Sequence, residues 1–187
     1  MRIVGGAFKG RSISTPAGRE TRPTSDRARE SLFNVLVHAP WTPGLEGRRV
    51  MDLFAGSGAL GFEALSRGAA FCLFVETDEA ARGAIRDNVE AFQAFGITRV
   101  HRRSAIDLGS KPAGLGAPFD LVFLDPPYHK GLGSIALQKL AEGEWLSEDA
   151  LAVFECAADE TSETPGFEVL DDRNWGAARV LFLRRKA

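Results

Sequence analysis

The sequence predicts a doubly wound α/β domain built on a mostly parallel sheet, with a short extension in front of it. Three observations carry that expectation. From Arg48 onward, short apolar runs alternate with helical patterns, which is how strands buried on both faces and joined by crossover helices read. A glycine-rich segment, Gly56-Ser57-Gly58-Ala59-Leu60-Gly61, stands where the first apolar run gives way to a helical pattern. The chain closes on two apolar runs with no helical pattern between them, so the last strand is expected to run antiparallel.

Each element follows from its own residues. The opening segment, from Arg2 to Ile13, reads as two short strands around a Gly-rich turn. Ala28, Leu32, Val35, Leu36 and Ala39 then recur at helical spacing, giving a helix from Ser25 to His38. Thr24 or Ser25 can cap it, and Pro40 and Pro43 end it. Val50–Phe54 is the first strand of the main domain, and Ala59–Arg67 the helix after the glycines. Phe71–Val75 is a strand, and Asp78–Phe95 is a helix with Ala81, Ile85, Val89 and Phe92 on one face. Further strands are expected at Ile97–Val100, Phe119–Leu124 and Leu151–Phe154, with a helix over Ile135–Leu140. The last two strands lie near Phe167–Leu170 and Arg179–Leu183, with Asp171–Gly176 as their turn.

Composition narrows the class. The 187 residues are 44% hydrophobic and 26% charged, which excludes a disordered chain, a collagen-like chain and a coiled coil. No apolar run approaches the roughly 18 residues that span a bilayer. The first residues lack the apolar core of a signal peptide, so a cytoplasmic protein is expected. Cys72 and Cys156 lie far apart in apolar runs and read as buried thiols. His38, His101 and His129 share no ligand spacing with each other or with the cysteines, so no metal is expected. Residues 1–30 carry seven Lys/Arg against three acids, while the remainder is net −6. A basic start on an acidic body points either to local contact with a polyanion or to a solvated face.

Two motifs carry chemistry. Gly56, Gly58 and Gly61 match G-x-G-x-x-G at a strand-to-helix junction, where glycine lets the backbone approach a bound nucleotide. Glu76 ends the next strand, where an acid can accept hydrogen bonds from both ribose hydroxyls. Asp52 stands four residues before Gly56, and a carboxylate there suits a cationic ligand better than a diphosphate. The second motif, Asp125-Pro126-Pro127-Tyr128, follows a buried strand. Its prolines remove two N–H donors, leaving the Asp125 carboxylate and the Pro126 carbonyl as acceptors beside an aromatic face. That set suits an exocyclic amine on a planar base, held by two acceptors while the ring stacks on Tyr128.

Asp52-Leu-Phe-Ala-Gly-Ser-Gly58, Glu76 and Asp125–Tyr128, in that order, resemble a class I S-adenosylmethionine-dependent amino methyltransferase. Arg2-Ile-Val-Gly-Gly6, Arg22-Pro-Thr-Ser-Asp-Arg-Ala-Arg-Glu-Ser-Leu-Phe-Asn34 and Gly58-Ala-Leu-Gly-Phe-Glu-Ala-Leu-Ser-Arg-Gly68 resemble the bacterial 16S rRNA guanine-N2 methyltransferase family. The resemblance runs over nearly the whole chain. It implies a Rossmann-like sheet of seven strands with an N-terminal β-hairpin and helix at residues 1–40 and a methyltransferase domain at 41–187. It implies S-adenosylmethionine as cofactor, S-adenosylhomocysteine as product and no metal. The implied substrate is 16S rRNA, within an assembling or assembled 30S subunit, acted on by a monomer. Asp125, Pro126, Pro127 and Tyr128 are the implied catalytic residues. Asp52, Phe54, Gly56, Ser57, Gly58, Glu76 and Thr77 would hold the cofactor. Ser104-Ala105 stands where the family has an acidic or amide residue followed by Ala at the adenine. Lys9, Arg11, Arg22, Thr24, Arg27 and Arg29 are the candidate RNA contacts, with Arg27 and Arg29 also able to pair with Asp26 or Glu30.

Other readings remain open on the residues alone. The same motif can serve adenine N6 in DNA or a protein glutamine amide. The glycine loop also occurs in nicotinamide oxidoreductases, and a non-catalytic RNA-binding module would share the basic start.

Overall fold

Strand β1 (Arg49–Leu53) lies in the middle of one seven-stranded sheet. Val50, Met51 and Leu53 are fully buried, so the strand loses apolar surface to helices on both faces. The computed structural model describes residues 1–16 and 25–187. Beside β1 run β2 (Phe71–Val75), β3 (Thr98–His101), β4 (Phe119–Leu124) and β5 (Leu146–Ala157), all paired in parallel. β6 (Phe167–Trp175) and β7 (Ala178–Arg185) complete the order β3-β2-β1-β4-β5-β7-β6. β7 is antiparallel to both its neighbours, as the closing pair of apolar runs predicts. The order reverses between β1 and β4, which opens a crevice at their carboxyl ends.

Helices α1 (Asp26–His38), α2 (Ala59–Ser66) and α3 (Glu79–Ala91) cover one face of the sheet. Leu32, Phe33, Phe62, Ile85 and Val89 pack there with Val50, Phe74 and Phe123. Helix α4 (Leu132–Glu142) covers the other face, with Leu137, Leu140, Leu108 and Trp145 against Met51, Val122 and Ala152. Ser25 caps α1, its hydroxyl accepting from the Ala28 N–H at 3.0 Å. Asp78 caps α3 in the same way through Ala81. Among the described residues, no helix is long and apolar enough to cross a membrane.

Three expectations need correction. The N-terminal hairpin is reduced to one antiparallel bridge, Arg2 with Ser12. Ile3 and Ile13 donate across it to the Arg11 and Met1 carbonyls, but the N–H groups nearer the turn go to α2. Val4 and Gly5 donate to the Glu63 carboxylate at 2.9 and 3.0 Å, and Ala7 and Phe8 donate to Ser66. Asp171–Gly176 is not a turn, because β6 continues through Trp175 and the chain reverses at Gly176. The polar run there is an edge strand with exposed side chains, tied to β7 by the Asp172–Arg179 ion pair at 2.7 Å. The helix expected to reach Phe95 ends at Ala91, and Gln93 adopts a positive φ of 53°.

Candidate active site at the carboxyl edge of the sheet

β1 delivers Asp52 and then bends sharply. Phe54 has a φ of +56°, a costly conformation for a large side chain. The glycines after it divide their work. A Cβ on Gly61 would lie 2.4 Å from the Phe74 ring, and one on Gly58 would lie 2.8 Å from the Phe62 ring. Both let α2 approach the sheet closely. A Cβ on Gly56 would meet nothing within 4 Å, so the loop there faces open space.

Asp52 is fully buried and accepts a hydrogen bond from the Gly61 N–H at 3.0 Å. Burial pushes its carboxyl up to about 8, against the Gly61 hydrogen bond and with help from the Glu76 charge. Glu76 leaves β2 with both oxygens engaged from below. One accepts from the Gly56 N–H at 2.8 Å, the other from the Asp78 N–H at 2.9 Å. Each carboxylate oxygen can accept a further hydrogen bond, and Glu76 lines a cavity of ≈ 480 Å³. Phe54, Thr77, Ser104, Asp125 and Pro127 share that lining. A second cavity of ≈ 190 Å³ lies over the glycine loop, lined by Arg29, Asp52, Phe54, Gly56, Ser57 and Asp125 among others. Phe54 and Asp125 border both cavities.

Asp125 begins the loop that follows β4. Tyr128, the chain's single tyrosine, donates its hydroxyl to Glu155 on β5 at 3.3 Å. The loop is then pinned from the β5–β6 connection. The His129 N–H donates to Glu160 at 3.0 Å, and its imidazole lies 3.4 Å from Asp159. The arrangement offers an elongated ligand two adjoining compartments, with an acceptor group at their junction.

The model of the family described as conserved hypothetical protein 95 matches residues 1–184. The chain belongs to that family. The ribosomal RNA small subunit methyltransferase D of Escherichia coli is 39% identical over 155 residues, spanning 83% of this chain and 74% of that protein. A solved Escherichia coli structure, named provisionally as a methyltransferase, is 35% identical with a TM-score of 0.83 and covers 100% of this chain and 98% of that one. A Synechocystis magnesium protoporphyrin IX methyltransferase with bound S-adenosylmethionine shares the fold at 17% identity and TM-score 0.59, over 86% of this chain and 79% of that one. The fold is therefore that of the class I methyltransferases, a seven-stranded sheet with one antiparallel hairpin.

Against this family background the candidate residues separate. Asp52, Phe54, Gly56, Ser57, Glu76, Thr77, Ser104, Asp125 and Pro127 all line the two cavities. Gly58 sits beneath them against Phe62 and Phe74. Ala105 packs into the core, and Ile106 takes the lining position beside Ser104.

Among the described residues, the basic side chains of the first segment differ in their surroundings. Lys9 and Arg27 are exposed. Arg11 lies over the rings of Phe8 and Phe92, 5.6 and 4.8 Å from their centroids, and donates to the Ala91 carbonyl at the end of α3. Arg29 is buried, 2.9 Å from Asp26 and 3.5 Å from Glu63. Arg22 and Thr24 lie outside the described residues.

Sequence reasoning missed three supporting groups. Glu63 is fully buried and ties Val4, Gly5, Arg29 and Arg67 together. Asn88, also buried, binds Ser14 through both its oxygen and its nitrogen and donates to the Ser57 carbonyl at 3.1 Å. Glu155 holds Tyr128. A signal existed for two of them. Glu63 is the lone charge in an apolar helix, and Asn88 falls on the Ile85–Val89 face.

Proposed function

We propose that this chain transfers a methyl group from S-adenosylmethionine to the exocyclic N2 amine of a guanine in 16S rRNA of the small ribosomal subunit. The observation that carries the reading is the meeting of two cavities at Asp125. One suits an adenosine and the other an amino-acid tail, so the reacting centre falls beside the acceptor group. The name of the Escherichia coli relative supports the substrate class.

The residues present fit the cofactor. Glu76 lines the larger cavity and would accept hydrogen bonds from the ribose hydroxyls. Gly56 faces open space over the loop and has a φ of +59°, a conformation that suits glycine. When bound, S-adenosylmethionine supplies a methyl group made electrophilic by its sulfonium. The Asp125 carboxylate and the Pro126 carbonyl accept the two N–H groups of the guanine amine and turn its lone pair toward that carbon. Tyr128 stacks on the base, and Glu155 fixes the tilt of its ring through the hydroxyl. Positioning supplies much of the acceleration. As the N–C bond forms and the sulfonium's bond to the methyl breaks, leaving S-adenosylhomocysteine, Asp125 would stabilise the positive charge on nitrogen, and the amine then loses one proton to Asp125 or to water. The guanine must be unpaired or flipped to reach the site.

The deciding experiment incubates hypomethylated 30S particles with labelled S-adenosylmethionine and maps the modified base. Label on one guanine as N2-methylguanine is the expected result. Label only on DNA adenine or on a protein glutamine in parallel reactions overturns the substrate assignment. Thermal stabilisation by NAD instead of S-adenosylhomocysteine overturns the cofactor assignment.

A further inference from the structure

The smaller cavity contains more chemistry than the glycine motif accounts for. Its floor is the loop from Phe54 to Ser57, and Ala59 and Leu60 at the start of α2 form part of its wall. The first N–H groups of a helix have no intrahelical acceptor. Here Gly61 donates to Asp52 and Phe62 donates to the Gly58 carbonyl, so the cavity lies at the remaining donors, those of Ala59 and Leu60. Such a helix start favours an anion.

Arg29 supplies the second, independent observation. It reaches this cavity from α1, a different element, and is 1% exposed. Its Nη2 donates to Asp26 and to the Arg2 carbonyl, and its Nε faces Glu63 at 3.5 Å. Its Nη1 is buried with no hydrogen-bond partner among the described residues. A buried guanidinium nitrogen left without an acceptor is costly, and a ligand oxygen in the cavity would relieve that cost. The cavity also holds two carboxyl groups, Asp52 and Asp125. A phosphate would gain nothing from Asp52 and would be repelled by the Asp125 carboxylate. A zwitterion would not, because its ammonium can face Asp52 while its carboxylate faces Arg29 and the helix start.

We propose that Arg29 binds the α-carboxylate of the cofactor's amino-acid end, together with the N–H groups that open α2. The inference rests on the reading of this site as one for S-adenosylmethionine. It gives the basic N-terminal segment a second role. α1 closes the cofactor compartment, and Glu63 holds Arg29, Val4 and Gly5 in one cluster.

Calorimetry with three probes tests it: S-adenosylhomocysteine, its decarboxylated analogue that keeps the ammonium, and 5′-methylthioadenosine, which lacks the whole amino-acid end. The natural chain is expected to bind S-adenosylhomocysteine at least about 10-fold tighter than the decarboxylated analogue, the scale of a charge-assisted hydrogen bond. Arg29→Gln should cut that preference to the small part that the α2 N–H groups supply, and leave the affinity for 5′-methylthioadenosine unchanged. Arg29→Lys, which keeps the charge but loses the fork, should retain part of it. Equal affinity of the natural chain for the first two probes overturns the proposal, and that result needs no variant to fold. A preference as large in Arg29→Gln as in the natural chain also overturns it. Failure of all three probes to bind the natural chain overturns the cofactor reading itself, and this proposal with it.

Discussion

The carboxyl edge of the sheet and the N-terminal segment both carry candidate functional residues, but they are organised differently. At the edge, each residue's position follows from its own strand end. Asp52, Glu76 and Asp125 leave β1, β2 and β4 at neighbouring ends of a parallel sheet. In the N-terminal segment, position depends on distant partners. Glu63 holds Val4 and Gly5, Asn88 holds Ser14, and Ala91 takes the Arg11 guanidinium. The edge is a property of the topology, whereas the segment is a layer fastened onto α2 and α3. Equal charge in sequence therefore means different things there: Lys9 is exposed, Arg11 is stacked and Arg29 is buried.

Removing the fastening gives the largest expected effect. Glu63→Ala leaves the Val4 and Gly5 N–H groups without their acceptor and strips a fully buried partner from Arg29 and Arg67. Breaking a buried ion pair by deleting one side costs about 3–5 kcal/mol. Denaturant unfolding should show that loss, and hydrogen exchange should place the new opening in residues 1–14 and α1. Exchange unchanged in those residues would mean that the segment is held by something other than this cluster.

Asp125→Ala should give the opposite signature. Methyl transfer falls on the order of 100-fold or more, the scale for a positioned electrostatic group. The unfolding midpoint should stay close to that of the natural chain, because Asp125 lies past the last residue of β4 and borders both cavities. Near-natural turnover in a folded variant would remove the carboxylate from the mechanism.

These two cases also explain what could be read from the residues. The edge was legible because its signals are local: glycines at fixed spacing, an acid at a strand end, prolines that leave only acceptors. The sheet was legible because apolar runs alternate with helical patterns. The fastenings were not, because each is a contact across the chain. Tyr128 meets Glu155 27 residues on, and Ser14 meets Asn88 74 residues on. β6 resembles a turn in sequence for a different reason. An edge strand exposes its side chains, so Asp171, Asp172 and Asn174 have the polar character of a turn. Ala105 stands at the position the family resemblance points to, but its side chain packs in the core and Ile106 lines the cavity.

A pH experiment probes the edge from within. The folded protein holds the Asp52 proton up to about pH 8, whereas the ordinary carboxyl value is 3.8. Between those values the native state binds a proton that the unfolded state does not. The contribution of Asp52 to stability therefore falls as pH rises through that window. Asn in its place can still accept from Gly61 but cannot ionise. Urea midpoints of the ligand-free protein at pH 5 and pH 8 should differ less for Asp52→Asn than for the natural chain. Equal differences would mean that Asp52 ionises in the folded protein as it does in water.

The smallest effect separates two neighbouring cations on the N-terminal segment. Lys9 is exposed, and a phosphate contact is the natural use for its charge. Arg11 is committed to two aromatic rings and a helix end. Lys9→Ala should reduce the salt dependence of 30S binding by about one unit of log–log slope, the loss of a single phosphate contact, and leave the melting temperature unchanged. Arg11→Ala should do the reverse. It removes a partly exposed cation–π contact of about 0.5–1 kcal/mol and a cap on α3, so the melting temperature falls while the salt slope holds. Measuring both variants in one series removes the ambiguity of either alone, since a misfolded segment would lower slope and stability together. If Arg11→Ala flattens the salt slope and Lys9→Ala does not, the RNA lies over the Phe8–Phe92 stack, and the charge that docks it is the one that also holds the segment down.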